Sequence, residues 1–393
     1  MLYRKLGKTG QKVSILGFGC MRLPVTDGNP EHIDKKQANE MLHYSLDHGV
    51  NLFDTAYSYH GPSATQSGQS EIWLGDALKD GCREDVYIST KLPSWLIEKK
   101  EDLNYYLDKQ LEKLQTDYID FYHLHGLGQG TWPNLERHDA LEFLDSALEE
   151  GKIRYAGFSF HDKLELFKEI VDSYNWDFSL IQYNYMDQDF QAGKEGLHYL
   201  TERNMGVMTM EPLRGGCLTN NVPQDILAIW DKAETKRSLA EWALRFLWDQ
   251  EEINVVLSGA STLEQVKENV KIAEEGYANS LTSDEKNLIE EVREAYSERV
   301  HAMCTICGYC MPCPVGVAIP LNLSLLNDLY VYQNMEKPLG NYTFLTAKKE
   351  SATFCTECGE CEEKCTQKLP IQKLLKEASD IFDKEMKKRS RKK

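Results

Sequence analysis

The sequence predicts a (β/α)8 TIM barrel followed by a smaller, mostly helical domain that is rich in cysteine. Short apolar or β-branched runs alternate with amphipathic stretches over about 250 residues, which is the arithmetic of such a barrel. Strand signals stop past residue 280, and eight of the 11 cysteines then lie in two dense clusters. We therefore expect a barrel domain over residues 1–294 and a second domain over residues 295–393.

Eight runs have the length and composition of barrel strands. They are residues 13–21, 50–56, 85–92, 118–125, 153–160, 179–185, 206–212 and 253–260. Helical patterns such as 101–116 and 261–276 separate them. The opening "LYRKLGKTGQKVS" predicts a hairpin at the bottom of the barrel. A doubly wound open sheet is the competing architecture, but no GxGxxG follows the first strand.

Charge and hydropathy restrict the partners. The formal net charge of −17 argues against nucleic acid, because its phosphates would be repelled. No apolar run approaches the roughly 20 residues that span a bilayer, so we expect no membrane span. The N-terminus lacks the layout of a signal peptide, and the cysteines are clustered rather than scattered. These features predict a cytoplasmic protein.

Polar side chains stand where successive predicted strands end. Barrel active sites lie at this C-terminal face, so we expect these side chains to share a site. They are Asp54, Lys91, His125, Ser159, Gln182, Glu211 and Ser258.

Seven collinear motifs over roughly residues 1–280 resemble the aldo-keto reductase superfamily. They are "NLFDTAYSY" (51–59), "STKL" (89–92), "TDYIDFYHLH" (116–125), "GFSF" (157–160), "IQYNY" (181–185), "MEPLRGG" (210–216) and "LSGASTLEQVKEN" (257–269). The resemblance implies carbonyl reduction with NAD(P)H by a catalytic tetrad.

The resemblance assigns a role to each tetrad member. Tyr59 is the expected general acid, and Lys91 is expected to lower the pKa of its phenol. Asp54 should hold Lys91 as an ion pair, and His125 should orient the carbonyl. Tyr57 is the other tyrosine of this loop, but the DTAxxY spacing selects Tyr59.

The same resemblance implies the contacts of the dinucleotide. Ser159 and Gln182 would bind the nicotinamide amide, and either Tyr183 or Tyr185 would stack on its ring. Leu213, Arg214, Gly215 and Gly216 would cradle the pyrophosphate. Residues near the adenosine would be Ser258, Gly259, Ser261, Gln265, Glu268 and Asn269. Lys267 is the only cation in that stretch, so the choice between NADP and NAD stays open.

His123 shares strand parity with His125 and should point into the barrel one layer deeper. A structural histidine bonded to a neighbour such as Ser89 is the favoured interpretation. We expect substitution of His123 to reduce stability more than turnover.

The cysteines form two CxxCxxC triples, each followed by one further cysteine. This arrangement resembles bacterial ferredoxins, in which the fourth cysteine binds the other cluster. One [4Fe-4S] cluster would then use Cys304, Cys307, Cys310 and Cys365, and the other Cys355, Cys358, Cys361 and Cys313. The gap before Cys313 is shorter than the pattern, and Thr366 replaces a common proline. A single cluster and a zinc site with four thiolate ligands are the alternatives.

Together these features resemble aldo-keto reductases that carry a C-terminal ferredoxin-like domain. The expected function is an NAD(P)-dependent oxidoreductase of a small aldehyde, ketone or sugar, with clusters that carry electrons or stabilise the domain. Hydride carries two electrons and a cluster passes one, so a flavin or an electron-transfer protein is a candidate mediator; no flavin motif is evident. The alternative is a redox- or nucleotide-sensing scaffold that binds NAD(P) without turnover.

Overall fold

The computed structural model describes residues 1–63, 65–79, 81–304, 308, 310–365 and 367–390. Their contacts form two compact units. The barrel unit comprises Met1–Pro212 and Ala240–Leu281, and the cysteine unit comprises Leu213–Leu239 and Thr282–Lys393. The cysteine unit thus includes an internal segment of the chain, whereas the sequence suggested one boundary near residue 295.

The strands of the barrel unit comprise an N-terminal hairpin and a closed barrel. They are β1 (Tyr3–Lys5), β2 (Lys12–Ser14), β3 (Leu16–Gly19), β4 (Leu52–Asp54), β5 (Tyr87–Leu92), β6 (Ile119–Leu127), β7 (Ile153–Phe160), β8 (Phe178–Gln182), β9 (Gly206–Met210) and β10 (Val255–Ser258). Strands β3 to β10 are parallel and close in the order β10-β3-β4-β5-β6-β7-β8-β9. Each of the eight predicted runs overlaps one of them, which confirms the (β/α)8 fold.

The hairpin β1–β2 is antiparallel and closes the lower end of the barrel. Leu6, between its strands, is fully buried in the inner core with Phe178. Gly206, the first residue of β9, leaves the space that Leu6 fills, because a Cβ there would lie 2.5 Å from Leu6 Cγ. Glycine is required at this close approach.

The helices surround the barrel and also build the cysteine unit. They are α1 (Lys35–Asp47), α2 (Ser70–Ala77), α3 (Glu101–Leu114), α4 (Trp132–Arg137), α5 (Ala140–Glu149), α6 (Leu164–Ser173), α7 (Gly193–Thr201), α8 (Gln224–Trp230), α9 (Leu239–Trp248), α10 (Leu263–Ala273), α11 (Ser283–Ser297), α12 (Ile319–Tyr332), α13 (Glu336–Ala347), α14 (Glu360–Lys364) and α15 (Ile371–Ser390). In the described part of the chain, none is both long and apolar enough to cross a membrane.

Strand β6 shows how alternation positions the site. Phe121 belongs to the inner core of the barrel, whereas Tyr122 and Leu124 pack in the layer between sheet and helices. Side chains two apart share a face of a strand. His123 and His125 therefore point inward with Phe121, and the ring of His123 contacts the inner residue Phe178 at 4.6 Å between centroids.

The cysteine unit has a core of its own. Helices α12, α13 and α15 pack around Leu326, Tyr342 and Phe382, and the last two rings lie 4.7 Å apart. Thr282 and Glu285 form a reciprocal capping box at the start of α11, which satisfies backbone N–H groups that helix geometry leaves unpaired. Within the described residues, every regular element that lies wholly in this unit is a helix.

Candidate active site and iron–sulfur centre

A buried ion pair lies at the centre of the barrel mouth. Lys91 Nζ donates to Asp54 Oδ2 at 2.6 Å and to the carbonyl of Thr55 at 2.7 Å. Both charged side chains are almost fully buried. Burial lowers the pKa of Lys91, but Asp54 and Tyr59 outweigh it, so the net direction is upward. The lysine therefore keeps its positive charge.

Tyr59 lies beside this pair and is partly exposed. Lys91 Nζ is 4.9 Å from the centre of its ring and hydrogen-bonds its phenol. Burial raises the pKa of the phenol, and the opposing effect of Lys91 is smaller, so the pKa lies above its usual value. The expected contribution of Lys91 has the right sign, but the expected net lowering is absent. The phenol consequently stays protonated at neutral pH.

The loop that carries Tyr59 is fixed by a glycine. A Cβ on Gly68 would lie 1.9 Å from the carbonyl oxygen of Tyr59, so no other residue fits there without movement. Gly68 N–H also donates to the carbonyl of Tyr57 at 2.8 Å. The two loop segments thereby hold Tyr59 at the end of β4.

His125, the fourth member of the predicted tetrad, is partly exposed. Its ring centre is 6.3 Å from that of Tyr59 and 4.9 Å from that of Trp95. Burial and the charge of Lys91 hold the pKa of His125 well below its usual value, so the ring is neutral. Among the described residues Nδ1 of this ring has no hydrogen-bond partner.

Tyr57 lies in a different environment from Tyr59. Its ring packs edge-on against Tyr106 at 5.1 Å, and Lys113 Nζ lies 4.2 Å from its centre. The structure thus brings Asp54, Tyr59, Lys91 and His125 together and places Tyr57 against helix α3.

His123 forms the hydrogen bond that its strand parity suggested. Its Nε2 lies 2.7 Å from Ser89 Oγ, and Ser89 Oγ donates to Asp54 Oδ1 at 2.7 Å. A hydroxyl has one proton, so His123 must donate to Ser89 when Ser89 donates to Asp54. Burial holds the pKa of His123 well below its usual value, which keeps the ring neutral.

Ser159 and Gln182 lie at the ends of the neighbouring strands β7 and β8. Gly126 N–H donates to Ser159 Oγ at 2.7 Å, and Gln182 Nε2 donates to Asp187 Oδ2 at 2.8 Å. Both side chains that are predicted to bind the carboxamide are therefore already hydrogen-bonded within the protein. The two tyrosines that are predicted to stack on the nicotinamide ring are buried. Tyr183 and Tyr185 are each 1% exposed, and both pack against Phe246.

The predicted adenosine contacts surround the start of α10. Asn269 Nδ2 donates to Ser258 Oγ at 2.9 Å, and Ser261 N–H donates to Gln265 Oε1 at 2.8 Å. Glu268 is exposed on the same helix. Lys267, the cation considered for this region, lies 5.6 Å from the ring centre of Tyr44.

A second cation lies near this region. The side chain of Arg22 follows β3, lies 3.4 Å from the Cβ position of Gly259, and pairs with Glu211 at 3.8 Å. Arg22 was absent from the sequence-based site. Its position just after a barrel strand is the signal that could have identified it.

The predicted phosphate loop, Leu213–Gly216, belongs to the cysteine unit. Arg214, Gly215 and Gly216 all have positive φ, at 50°, 66° and 89°. Arg214 Nη1 pairs with Asp328 Oδ1 at 2.9 Å, and its guanidinium lies 4.4 Å from the ring centre of Tyr332. Two residues of helix α12 therefore contact Arg214, the one cationic residue of this loop.

Two cavities in the cysteine unit collect the cysteines of the two motifs. The first is lined by Cys310, Cys313, Cys355, Cys358 and Cys361. The second is lined by Cys304, Cys310 and Cys365. Each cavity therefore draws thiols from both segments of the sequence. Cys307 and Thr366 lie outside the described residues.

The surroundings of these thiols fit iron–sulfur clusters. Backbone N–H groups donate to sulfur, from Glu357 to Cys355 at 3.4 Å and from Leu369 to Cys365 at 3.5 Å. Such bonds favour electron-rich cluster thiolates. The remaining cysteines, Cys20, Cys82 and Cys217, are not among the residues that line either cavity.

The barrel, its polar mouth and the cysteine cavities define an oxidoreductase that carries an iron–sulfur domain. Residues 15–294 match the model of the aldo/keto reductase family, and residues 303–370 match a 4Fe-4S dicluster domain. The chain belongs to the aldo/keto reductase family, whose members use NAD(P).

Relatives support the same assignment. The chain is 28% identical over 316 residues to the uncharacterized oxidoreductase YqkF of Bacillus subtilis, covering 72% of this chain and 94% of that protein. It is 29% identical over 313 residues to L-galactose dehydrogenase of Arabidopsis thaliana, covering 73% and 92%. The holo structure of aldo-keto reductase AKR11C1 from Bacillus halodurans is similar at a TM-score of 0.61 and 29% identity, covering 74% and 96%.

Proposed function

We propose that the protein transfers hydride between NAD(P) and the carbonyl or alcohol group of a small aldehyde, ketone or sugar. One observation supports this most directly: Lys91 and Asp54 are buried as an ion pair, whereas Tyr59 and His125 remain partly exposed beside them. The charges that tune the site are shielded, and the groups that meet a substrate are accessible.

In the reducing direction, a bound dinucleotide would supply hydride to the carbonyl carbon. Tyr59 gives its proton to the carbonyl oxygen, and Lys91 stabilises the phenolate that remains. His125, which is neutral, donates Nε2–H to the same oxygen and orients it. In the oxidising direction these proton transfers reverse, so that Tyr59 must first lose its proton.

The residues proposed to hold the dinucleotide are those predicted from the resemblance. Ser159 and Gln182 bind the carboxamide, and Ser258, Gly259, Ser261, Gln265, Glu268 and Asn269 line the adenosine region. Leu213, Arg214, Gly215 and Gly216 stay the predicted phosphate-binding loop. Arg22 adds a cation beside Gly259. Titration with NADP and with NAD shows which of the two dinucleotides the protein prefers.

A carbonyl or sugar substrate fits the rings at the site. Trp95 is 37% exposed and packs against His125, next to Tyr59. An exposed aromatic face beside a proton donor suits an aldehyde, a ketone or the apolar face of a sugar. The relative L-galactose dehydrogenase is named for a sugar substrate.

We propose two [4Fe-4S] clusters in the cysteine unit. The first cavity contains all four thiols expected for the set Cys313, Cys355, Cys358 and Cys361. The second contains three of the other set, Cys304, Cys310 and Cys365, to which Cys307 is added. The clusters either stabilise this unit or pass single electrons through a flavin or an electron-transfer protein.

Anaerobic purification with iron, sulfide, zinc and flavin analysis tests the metal assignment, and about eight iron atoms per chain are expected. NAD(P)H oxidation against a panel of aldehydes, ketones and sugars tests the activity, with Tyr59→Phe as the inactive comparison. Equal inactivity of both proteins, with partner binding that follows cluster redox state, would favour the sensing scaffold. A colourless zinc protein would exclude the clusters.

A further inference from the structure

The orientation of Gln182 is fixed by a carboxylate. Its Nε2 lies 2.8 Å from Asp187 Oδ2, and both residues are buried. A carboxylate only accepts hydrogen bonds, so the atom that faces it must be the NH2 group of the amide. Gln182 Oε1 consequently faces the opposite way, and it accepts no hydrogen bond from the part of the chain that is described.

Asp187 is itself held in place by Asn184. The Asn184 side chain donates to the same Oδ2 at 2.8 Å and to the carbonyl of Glu211 at 3.0 Å. Its Oδ1 accepts from the backbone N–H groups of Met186 and Asp187 at 2.9 and 3.0 Å. Every polar atom of Asn184 is therefore engaged, and the loop after β8 is rigid at Asp187.

Ser159 offers a hydrogen-bond donor where Gln182 offers an acceptor, and its role is also fixed by a hydrogen bond within the protein. Gly126 N–H donates to Ser159 Oγ at 2.7 Å, which uses one acceptor site of the hydroxyl. The hydroxyl proton has no acceptor among the described residues, so it is available to a ligand. One side of the subsite thus offers a donor and the other offers an acceptor.

We propose that Asp187 is a positioning residue that fixes this polarity, so that the subsite accepts a primary carboxamide in one orientation. The inference rests on the proposed dinucleotide function. The carboxamide oxygen accepts from Ser159, and its N–H donates to Gln182 Oε1. An acetyl group lacks the N–H, and a carboxylate would oppose an acceptor with an acceptor, so both are disfavoured.

Binding of the oxidised dinucleotide and of its 3-acetylpyridine analogue, measured by calorimetry, tests the proposal. The wild-type protein should prefer the carboxamide by about tenfold, the effect of one hydrogen bond to a buried group. Asp187→Ala frees the Gln182 amide to rotate, and the preference should fall to about twofold or less. Asp187→Asn keeps an acceptor oxygen and should retain most of it. Asp189→Asn removes an exposed carboxylate of the same loop and should match wild type.

An unchanged preference in a folded Asp187→Ala protein, or no preference in the wild type, would overturn the role of Asp187 and leave the proposed function intact. If the wild type binds neither dinucleotide nor its 2′-phosphorylated form, both are overturned. Should Asp187→Ala fail to fold, Asp187→Leu, which keeps the side-chain volume and removes both acceptor oxygens, tests the same role. The preference should fall there to about twofold or less, and its persistence refutes the proposal.

Discussion

The barrel mouth and the cysteine cavities are organised in opposite ways. In the barrel unit, Lys91, Asp54, Ser89 and His123 are linked by hydrogen bonds of 2.6 to 2.7 Å. In the cysteine unit, thiols from both cysteine segments line two cavities. The barrel site is thus held by its own hydrogen bonds, whereas the proposed clusters, once bound, should add to the stability of the cysteine unit.

The largest expected effect is on the cysteine unit. Cys361→Ala removes a buried thiol that lines the first cavity and is a proposed cluster ligand, so it should cost several kcal/mol of that unit's stability. Calorimetry should show its transition lowered or lost while the barrel transition persists. Cys82→Ala, at a cysteine outside both cavities, is the control. Parallel loss of the barrel transition would contradict the contrast between the two sites.

Tyr59→Phe should lower the rate constant for carbonyl reduction by roughly 10²- to 10⁴-fold, because the proton donor is removed. Dinucleotide affinity should stay near wild type, since the phenol meets the substrate. Steady-state kinetics and dinucleotide titration measure the two effects. Tyr57→Phe changes the same loop and should retain activity; a comparable loss there would reassign the acid.

The pH profile follows from the directions of the pKa shifts. The pKa of Tyr59 is above its usual value of about 10, so the acid form persists through neutral pH and is lost only as pH rises through that pKa. The pKa of His125 lies well below its usual value, so the ring stays neutral on the acid side. Reduction should therefore be nearly constant from about pH 6.5 to 9, and oxidation should accelerate with pH. A strong decline of reduction between pH 7 and 9 would refute this assignment.

His123→Leu has the smallest expected effect on turnover. It removes the donor to Ser89 and should cost about 1–3 kcal/mol of unfolding free energy. The Lys91–Asp54 contact remains, so kcat should change only a few-fold. Urea unfolding and kcat are compared in the same preparation. Normal stability with lost turnover would place His123 in the catalytic machinery.

Much of the fold could be predicted because barrel strands and helices are local, periodic features. The eight strand runs and the inward parity of His123 and His125 follow from alternation along β6. The proposed tetrad residues come from strand ends together with the family motifs, and the structure places the four side chains near one another. Both kinds of signal are short stretches of sequence.

The features of the site that the sequence did not predict depend on tertiary contacts or on burial. Arg214 pairs with Asp328, 114 positions away, and no local pattern indicates that partner. Trp95 packs against His125 and Arg22 pairs with Glu211, and each of these partners lies on or just after another strand of the barrel. Asp187 lies only five positions from Gln182, but their contact depends on the conformation of the loop after β8. The net pKa direction of Tyr59 depends on how far burial outweighs Lys91, and sequence supplies only the sign of each effect.

The shared lining of the two cavities has a consequence for assembly. Cys310 lines both, and helix α12 begins with Ile319 at one cavity and Pro320 at the other. If two clusters bind as proposed, filling either cavity would fix residues that also line its neighbour, so the second cluster should enter more readily than the first. Iron loading should then be cooperative. Native mass spectrometry of partly reconstituted protein should show mainly chains with no cluster or with two, and few with one.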